Sequence, residues 1–355
     1  MLVWLDQPKD VAFLVQSLGE LSAAHKWYEL LMIVTLAIFA LVAKPSGIAV
    51  VVNQQSDTAS IVDLATYKAV HVPVGNGPHE SAVSPNGKRA VVTNYFKQGV
   101  GPGSSLSLLE LASKKEVKRI ELDRQAMPHG VQWVDNRKVV CSDERNQRLL
   151  LIDVDAGKVE REYVTGQGGS HMLSLNLRAN RLVSSNMGGG SVTIFDFKSG
   201  EKLETVTTGK ECEGVGISPD GKTIWAGNRA EDTISVIDLA TRKVVKKIES
   251  KGFPYRVQFT PNGKWALIPH AMSGELVVCD VAEMKVVRRI KVGATGVKVP
   301  VDNPSPAGVW PYMDSNFALV TIRNDNSLVI VDLHHGETIG RIEVQMSPDG
   351  VAMKP

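Results

Sequence analysis

Residues 213–248, EGVGISPDGKTIWAGNRAEDTISVIDLATRKVVKKI, hold one complete copy of the repeat from which this chain is built. Alternating apolar residues predict short strands at 213–218, 223–228, 233–239 and 243–248. The PDGK segment between the first two strands predicts a tight β-turn. The stretch lacks the apolar spacing of an amphipathic helix. Four short strands separated by turns are typical of one propeller blade.

A recurring acidic residue counts the copies of this unit. It closes an apolar run about every 42 residues, a period typical of propeller blades. The members of this acidic column are Asp63, Glu110, Asp153, Asp196, Asp238, Asp280 and Asp332. We interpret the column as structural, because a carboxylate at a strand end can accept the N–H groups of the following turn. Seven copies predict an all-β, seven-bladed propeller with four-stranded antiparallel blades.

The two ends of the repeat region predict how the ring closes. Residues 47–53, GIAVVVN, resemble a second strand with no inner strand before it. Residues 349–355, DGVAMKP, resemble an inner strand after which the given sequence stops. We therefore expect one propeller domain over residues 47–355, with the C-terminal strand completing the first blade.

Several motifs resemble those of a known family. VVTNYF at residues 91–96, the repeated SPNG and SPDG turns and the SVIDLAT strands are similar to the YVTN-type seven-bladed β-propellers. The resemblance covers about residues 47–355 and implies the same fold. Related propellers include lactonases, amine dehydrogenase heavy subunits, haem-binding nitrite reductase domains and plain binding proteins. The resemblance therefore does not determine the function.

Composition narrows the classes of partner and cofactor. The chain is 43% hydrophobic and 22% charged with a formal net charge of +2, which is ordinary for a globular domain. The basic residues form no single block, so we expect no nucleic-acid partner. No CxxCH motif is present, which excludes covalent c-type haem. We expect Cys141 and Cys279 to behave as small buried apolar residues and Cys212 to lie beside the candidate site.

Residues 1–46 lie outside the repeat and form a predicted leader. Its apolar segment, residues 30–43, is shorter than the roughly 20 residues of a membrane span and suits the core of a signal peptide. We expect export to the periplasm or secretion. An uncleaved anchor and a packed helix are the alternatives, and membrane contact is expected only through this segment.

A second column of residues forms the candidate site. It starts the inner strand of each unit, and its members are His79, His129, His171, Glu213, Tyr255, Ala307 and Asp349. Its polar part is an arc from Asp349 through His79 to Glu213. Because the second strand of a blade returns to the face where the first begins, we expect one channel mouth to carry this column and the ends of the second strands. Longer loops, about residues 95–105 and 295–305, are predicted at the same mouth.

The candidate ligand-binding residues are therefore His79, Glu80, His129, His171, Glu213, Tyr255, Arg256, Asp349, Asn94, Asn186, Asn228 and His270. We interpret His270 as a loop residue, with an extra contact to the site as the alternative. A tentative metal set consists of His79, His129, His171 and Glu213, donors that suit zinc, iron or copper. Glu80 and Asp349 could orient the imidazoles of such a set. The alternatives without a metal are a solvated ring and capture of an anionic or carbonyl compound by the histidines and Arg256.

Two functions follow from these alternatives. The first is an exported propeller that binds a small molecule or a protein partner at the loop-rich mouth. The second is a metal-assisted, lactonase-like hydrolase or an oxidoreductase that uses the arc. No GxSxG, P-loop or HExxH motif decides between them. Whether the protein is an enzyme, and which cofactor it holds, is left open at this point.

Overall fold

A computed structural model of the protein describes residues 45–293 and 304–354. The described chain forms seven four-stranded antiparallel sheets. The first contains β1 (Ile48–Asn53), β2 (Thr58–Asp63), β3 (Lys68–Pro73) and β28 (Pro348–Met353). The second contains β4 (Pro78–Val83), β5 (Arg89–Lys97), β6 (Gly101–Glu110) and β7 (Lys115–Glu121). The third contains β8 (Pro128–Trp133), β9 (Lys138–Asp143), β10 (Arg148–Asp153) and β11 (Lys158–Val164).

The remaining four sheets repeat this order. The fourth contains β12 (Ser170–Asn176), β13 (Arg181–Asn186), β14 (Ser191–Asp196) and β15 (Lys202–Thr207). The fifth contains β16 (Cys212–Ile217), β17 (Thr223–Asn228), β18 (Thr233–Asp238) and β19 (Lys243–Glu249). The sixth contains β20 (Gln258–Phe259), β21 (Trp265–His270), β22 (Glu275–Asp280) and β23 (Lys285–Lys291). The seventh contains β24 (Pro306–Pro311), β25 (Phe317–Ile322), β26 (Ser327–Asp332) and β27 (Glu337–Glu343).

The protein is a seven-bladed β-propeller, as the repeat predicts. β28 pairs antiparallel with β1, with Val51 opposite Val351, so the C-terminal strand completes the first blade. Closure of this kind leaves no long unpaired strand edge. Short 3-10 turns at Arg229–Glu231 and Arg323–Asp325 follow the second strands of the fifth and seventh blades.

The hydrophobic core lies between neighbouring blades. Leu106 and Val91 of the second blade pack with Cys141 and Leu150 of the third in one buried cluster. Each fully buried aliphatic side chain of this kind contributes about 1.5–3 kcal/mol. The outer strands bury much less: in β19 only Ile248 is buried. Apolar contacts between the faces of neighbouring blades therefore stabilise the propeller.

The acidic column has the structural role predicted for it. Asp63 accepts hydrogen bonds from the backbone N–H groups of Ala65 and Thr66 at 2.9 and 3.2 Å. Asp238 accepts the N–H of Thr241 at 2.7 Å. These carboxylates close the turn between the third and fourth strands of a blade.

The predicted leader, residues 1–46, lies outside the described residues except for Pro45 and Ser46. Most of the predicted loop at 295–305 also lies outside them. Within residues 45–293 and 304–354, no helix is long and apolar enough to cross a membrane.

Candidate functional site

A β-bulge at the start of an inner strand positions the residues of the candidate column. In the second blade, Pro78 pairs with Asn94 and Ser81 with Val92, so His79 and Glu80 together oppose Thr93 alone. The same shift occurs at β8, β12, β16, β24 and β28. Two residues opposite one re-aim the side chains at that point. The bulges therefore direct this column of side chains, called the ring below, towards the shared axis.

Hydroxyl groups hold neighbouring blades together at the bulges. Thr93 Oγ1 accepts the N–H of Glu80 at 3.0 Å and donates to the carbonyl of His129, in the next blade, at 2.8 Å. Thr321 does the same between Gly308 and Asp349, at 2.7 and 2.5 Å. Ser142 and Ser185 make the equivalent contacts. Each hydroxyl satisfies two backbone groups that the bulge leaves outside the strand ladder.

Three ring histidines from consecutive blades touch one another. The imidazole centroids of His79 and His129 are 4.2 Å apart, and those of His129 and His171 are 3.7 Å apart. All three side chains are buried. The structure thus brings the predicted histidines together at one mouth.

His171 is clamped between two carboxylates. Its Nδ1 lies 2.7 Å from Glu144 Oε2, and its Nε2 lies 2.7 Å from Glu213 Oε1. Burial by itself would lower the pKa of His171, but Glu213 and Glu144 outweigh it and raise that pKa to about 9. Burial likewise opposes ionisation of Glu213, yet His171 and Arg256 hold its pKa well below its usual range. His171 is therefore an imidazolium at neutral pH and Glu213 a carboxylate.

The predicted arc does not include the sixth blade, but Arg256 of that blade contacts three carboxylates. Its Nε donates to Glu80 Oε1 at 2.8 Å and its Nη1 to Glu213 Oε1 at 2.6 Å. Its Nη2 lies 3.6 Å from Asp349 Oδ1. Asp349 also contacts Arg323, and its Oδ2 lies 2.8 Å from Nδ1 of His79. The ring residues therefore form one buried network of alternating charges.

Two carboxyl groups of this network differ in proton affinity. Burial raises the pKa of Glu80 to about 7, although Arg256 opposes the rise. Burial also disfavours ionised Asp349, but Arg323 and His79 hold the pKa of Asp349 well below its usual range. Glu80 is therefore the carboxyl group of the network that titrates near neutrality.

His129 differs from its neighbours because its ring nitrogens have no partner among the described residues. Its side chain is fully buried, and neither Nδ1 nor Nε2 has a hydrogen-bonding partner there. Burial, together with the charge of His171, holds the pKa of His129 well below its usual value. Neutral His129 offers one N–H donor and one nitrogen acceptor. Buried polar groups are nearly always hydrogen-bonded, so this one calls for a partner.

The candidate residues at the ends of the second strands, Asn94, Asn186, Asn228 and His270, are not at the axis. Each asparagine amide turns into its own blade, where Asn94 Nδ2 donates to Ser105 and Ser107, both at 3.0 Å. Asn186 and Asn228 make the equivalent bonds to their third strands. His270 ends strand β21 rather than lying in a loop, with Nε2 2.8 Å from Ser250 Oγ. The asparagines thus cross-link the second and third strands of their own blades, while His270 contacts the segment that follows β19 of the preceding blade.

The residue that follows each of these strand positions, which in the second blade is Tyr95 within β5, lies at the mouth instead, and sequence reasoning missed it. These seven positions form a half-buried layer above the ring, called the rim below: Gln54, Tyr95, Glu144, Met187, Arg229, Ala271 and Arg323. Arg229 Nη1 reaches Glu213 at 2.8 Å, and Tyr95 donates to Glu144 at 2.9 Å. The repeat held this signal, because the rim is the asparagine column shifted by one residue.

The predicted loop at residues 95–105 is mostly strand. β5 and β6 continue past the face as a ladder, with Phe96 opposite Pro102 and Lys97 opposite Gly101. A shift in register between Asn94 and Phe96 lets the two strands bend outward. The exposed tip therefore shrinks to residues 98–100, beside the mouth.

The tentative metal set stays a prediction. In the part of the chain that the structure describes, no group of three His, Cys, Asp or Glu side chains is arranged to hold a metal ion. Both nitrogens of His171 contact carboxylates, and Asp349 lies against Nδ1 of His79. All three cysteines are free and buried, which agrees with the interpretation of Cys141 and Cys279.

Comparisons with known proteins support a β-propeller family. A family model described as a YNCE-like beta-propeller matches residues 181–312. Antigen Lp49 of Leptospira interrogans is 24% identical over 184 residues, which cover 46% of this chain and 40% of the antigen. The chain thus matches less than half of that relative's length.

Two solved structures share the fold. Hydrazine synthase of Kuenenia stuttgartiensis superposes with a TM-score of 0.67 at 17% identity, covering 79% of this chain and 90% of that one. A functionally unknown protein from Desulfotomaculum acetoxidans DSM 771 superposes with a TM-score of 0.71 at 13% identity, covering 87% and 99%. At these identities the likeness concerns the fold alone.

Proposed function

We propose that this propeller is a binding protein that captures a small anionic or carbonyl compound at the mouth formed by the ring and the rim. The observation that carries the proposal is His129, which is buried among ring residues with both nitrogens unpartnered in the described chain. A ligand oxygen accepting its N–H would complete a group that the fold otherwise leaves unsatisfied.

The charges at the mouth favour an anionic or carbonyl group. Arg229 and Arg323 are half-buried at the rim, with side chains 22% and 23% exposed. Arg229 uses Nε for Glu211 and Nη1 for Glu213, and no partner is recorded for its Nη2 within the described residues. Arg323 Nε is likewise unpartnered there. Guanidinium donors of this kind suit carboxylate and carbonyl oxygens.

Calorimetric titration with acetate, pyruvate and succinate tests the proposal. We expect at least one of these probes to bind the wild-type protein. H129F keeps an aromatic ring between His79 and His171 but removes both nitrogens. A hydrogen bond to a charged group contributes about 1.5–3 kcal/mol, so H129F should weaken binding by about 10- to 100-fold. The matched control H334F changes an exposed histidine of a distant turn and should leave affinity unchanged.

Two results would overturn the proposal. The first is that none of the three probes binds the folded wild-type protein. The second is stoichiometric metal in the native protein that is lost in an H79A/H129A/H171A variant, which would favour the metal-assisted hydrolase or oxidoreductase. If the ligand is a protein instead of a small molecule, it should form a complex that depends on residues of the mouth, and none of the three probes should bind. The exposed side chains of Val100 and Met272 could contact such a partner.

We also propose export and a YVTN-type repeat. The apolar segment at residues 30–43 supports export to the periplasm or secretion, with membrane anchoring as the alternative. VVTNYF and the recurring turns support the repeat type. Protein found in the cytosol with an intact N-terminus would contradict export.

A further inference from the structure

Beyond the ring, on the side away from the mouth, the axis widens into a cavity of about 160 Å³, called the chamber below. The apolar part of its wall includes Val131, Val215, Val257, Val309, Val351 and Trp310, and the polar part includes Ser81, Gln132, Ser174 and Gln258. Glu80 and Arg256 also line it, and they are its only charged residues within the described chain.

Two glycines at the ring end of the chamber have no space for a side chain. Gly308 and Gly350 follow their ring residues directly, in the place that Glu80 and Arg256 take in their blades. A Cβ on Gly308 would come within 2.3 Å of the Asp349 carbonyl oxygen, so this position tolerates no side chain. The Glu80–Arg256 pair therefore provides the charged groups at this end of the chamber.

The guanidinium of Arg256 is already paired with carboxylates. Arg256 Nε donates to Glu80 Oε1 at 2.8 Å and Nη1 donates to Glu213 Oε1 at 2.6 Å, while Nη2 lies 2.8 Å from Glu80 Oε1 without a hydrogen bond. Other polar groups of the wall are also used: Gln132 accepts the N–H of Leu175 at 2.8 Å. The one Arg256 nitrogen without a hydrogen bond in the described chain, Nη2, is buried, so an anion entering the chamber meets no exposed, unpaired guanidinium nitrogen.

An acceptor remains available. Both contacts from Arg256 fall on Glu80 Oε1, and no described residue donates a hydrogen bond to Oε2. The Glu80 side chain is 10% exposed, so it retains some access to solvent. A carboxylate oxygen with apolar walls around it is suited to a cationic donor, because the low-dielectric surroundings strengthen the pairing.

We propose that the chamber is a second binding site, for a small primary ammonium compound with a short aliphatic chain, held by Glu80 Oε2 and the apolar wall. The ammonium N–H groups would donate to Oε2 while the chain packs on the valines. The face of Trp310, which lines the same cavity, adds a favourable surface for a cation. This site lies apart from the mouth and does not depend on the function proposed there.

The volume limits the size of the ligand. One water needs about 10–15 Å³ when space is measured in this way, so the chamber has room for roughly ten waters. A chain of about four carbons displaces part of that water and remains within the cavity.

Calorimetry with butylammonium on the full chain tests the site, with 1-butanol and tetramethylammonium as comparison probes. We expect butylammonium to bind the wild-type protein with a stoichiometry of one. 1-Butanol lacks the charge, and tetramethylammonium lacks N–H donors. Each should bind at least 10-fold more weakly.

E80Q keeps an oxygen for Arg256 but removes the charge, so it should weaken butylammonium binding at least 10-fold. The control E283Q removes a carboxylate from an exposed turn, where Glu283 pairs only with Lys285, and should bind like wild type. If E80Q does not fold, the relative affinities of the three probes for the wild-type protein decide the question. Equal binding of butylammonium and 1-butanol by the wild-type protein, or equal binding of butylammonium by wild type and folded E80Q, overturns the proposal. Retention of butylammonium binding by H129F separates this site from the mouth.

Discussion

Replacement of Arg256 by methionine should destabilise the propeller more than any single change on its surface. Methionine fills a similar length of side chain but leaves Glu80, Glu213 and Asp349 without the guanidinium that joins them. Breaking a buried ion pair by removing one partner costs about 3–5 kcal/mol, because the remaining charge stays buried. Arg229 and Arg323 still neutralise two of the carboxylates, so we expect a loss within this range.

The loss converts to a measurable shift in melting temperature. About 300 ordered residues at about 2 cal/mol/K each give an unfolding entropy of about 0.6 kcal/mol/K. A loss of 3–5 kcal/mol then lowers the melting temperature by about 5–8 °C in differential scanning calorimetry. The matched control R119M removes a half-exposed arginine paired with Glu116, which contributes at most about 1 kcal/mol. Equal, small shifts for R256M and R119M would refute the buried network.

Three further predictions concern the ring, the blade contacts and the thiols. The pKa of His171 is about 9 in the folded protein, above its ordinary 6.5, so its stabilising effect is complete below pH 6.5 and disappears as the pH rises to 9. The free energy of unfolding of H171Q in urea should therefore lack this pH dependence. The same pH dependence in H171Q and wild type would contradict the assignment. T321V leaves the N–H of Gly308 and the carbonyl of Asp349 without the Thr321 hydroxyl and should cost about 1–3 kcal/mol in urea unfolding. T338V removes a hydroxyl that has no hydrogen-bonding partner among the described residues, and it should cost nothing. Equal effects of the two variants would argue against hydroxyl links between blades. Burial raises the pKa of the Cys212 and Cys279 thiols to about 12, so a thiol reagent should modify them only after denaturation, and rapid reaction of the native protein would exclude their burial.

The fold was predictable because its signal is repeated. Each blade carries a turn, an apolar third strand and a strand-end carboxylate. The strands of a copy with a weak pattern can therefore be assigned from the other copies. The shared first blade was predictable for the same reason. Residues 47–53 match a second strand, and residues 349–355 match the inner strand that is missing before them.

The site was only partly predictable. The column from His79 to Asp349 was identified, yet Asn94 and its equivalents point into the blades, and the rim residues beside them reach the mouth. Both faces of these strands are buried, so apolar patterning does not say which one points to the axis. The bulge that re-aims His79 and Glu80 has no distinct sequence signature. The ion pairs of Arg256 join blades far apart in sequence, which the repeat does not predict.

The most direct test of the binding proposal is the response of the His129 ring nitrogens to ligand. Nitrogen-15 spectra of histidine-labelled protein would be recorded while the tightest-binding of acetate, pyruvate and succinate is added. The account predicts that the His129 resonances move saturably, at the dissociation constant found by calorimetry, while those of exposed His334 do not move. His129 resonances that stay unchanged while the probe saturates the protein would contradict it.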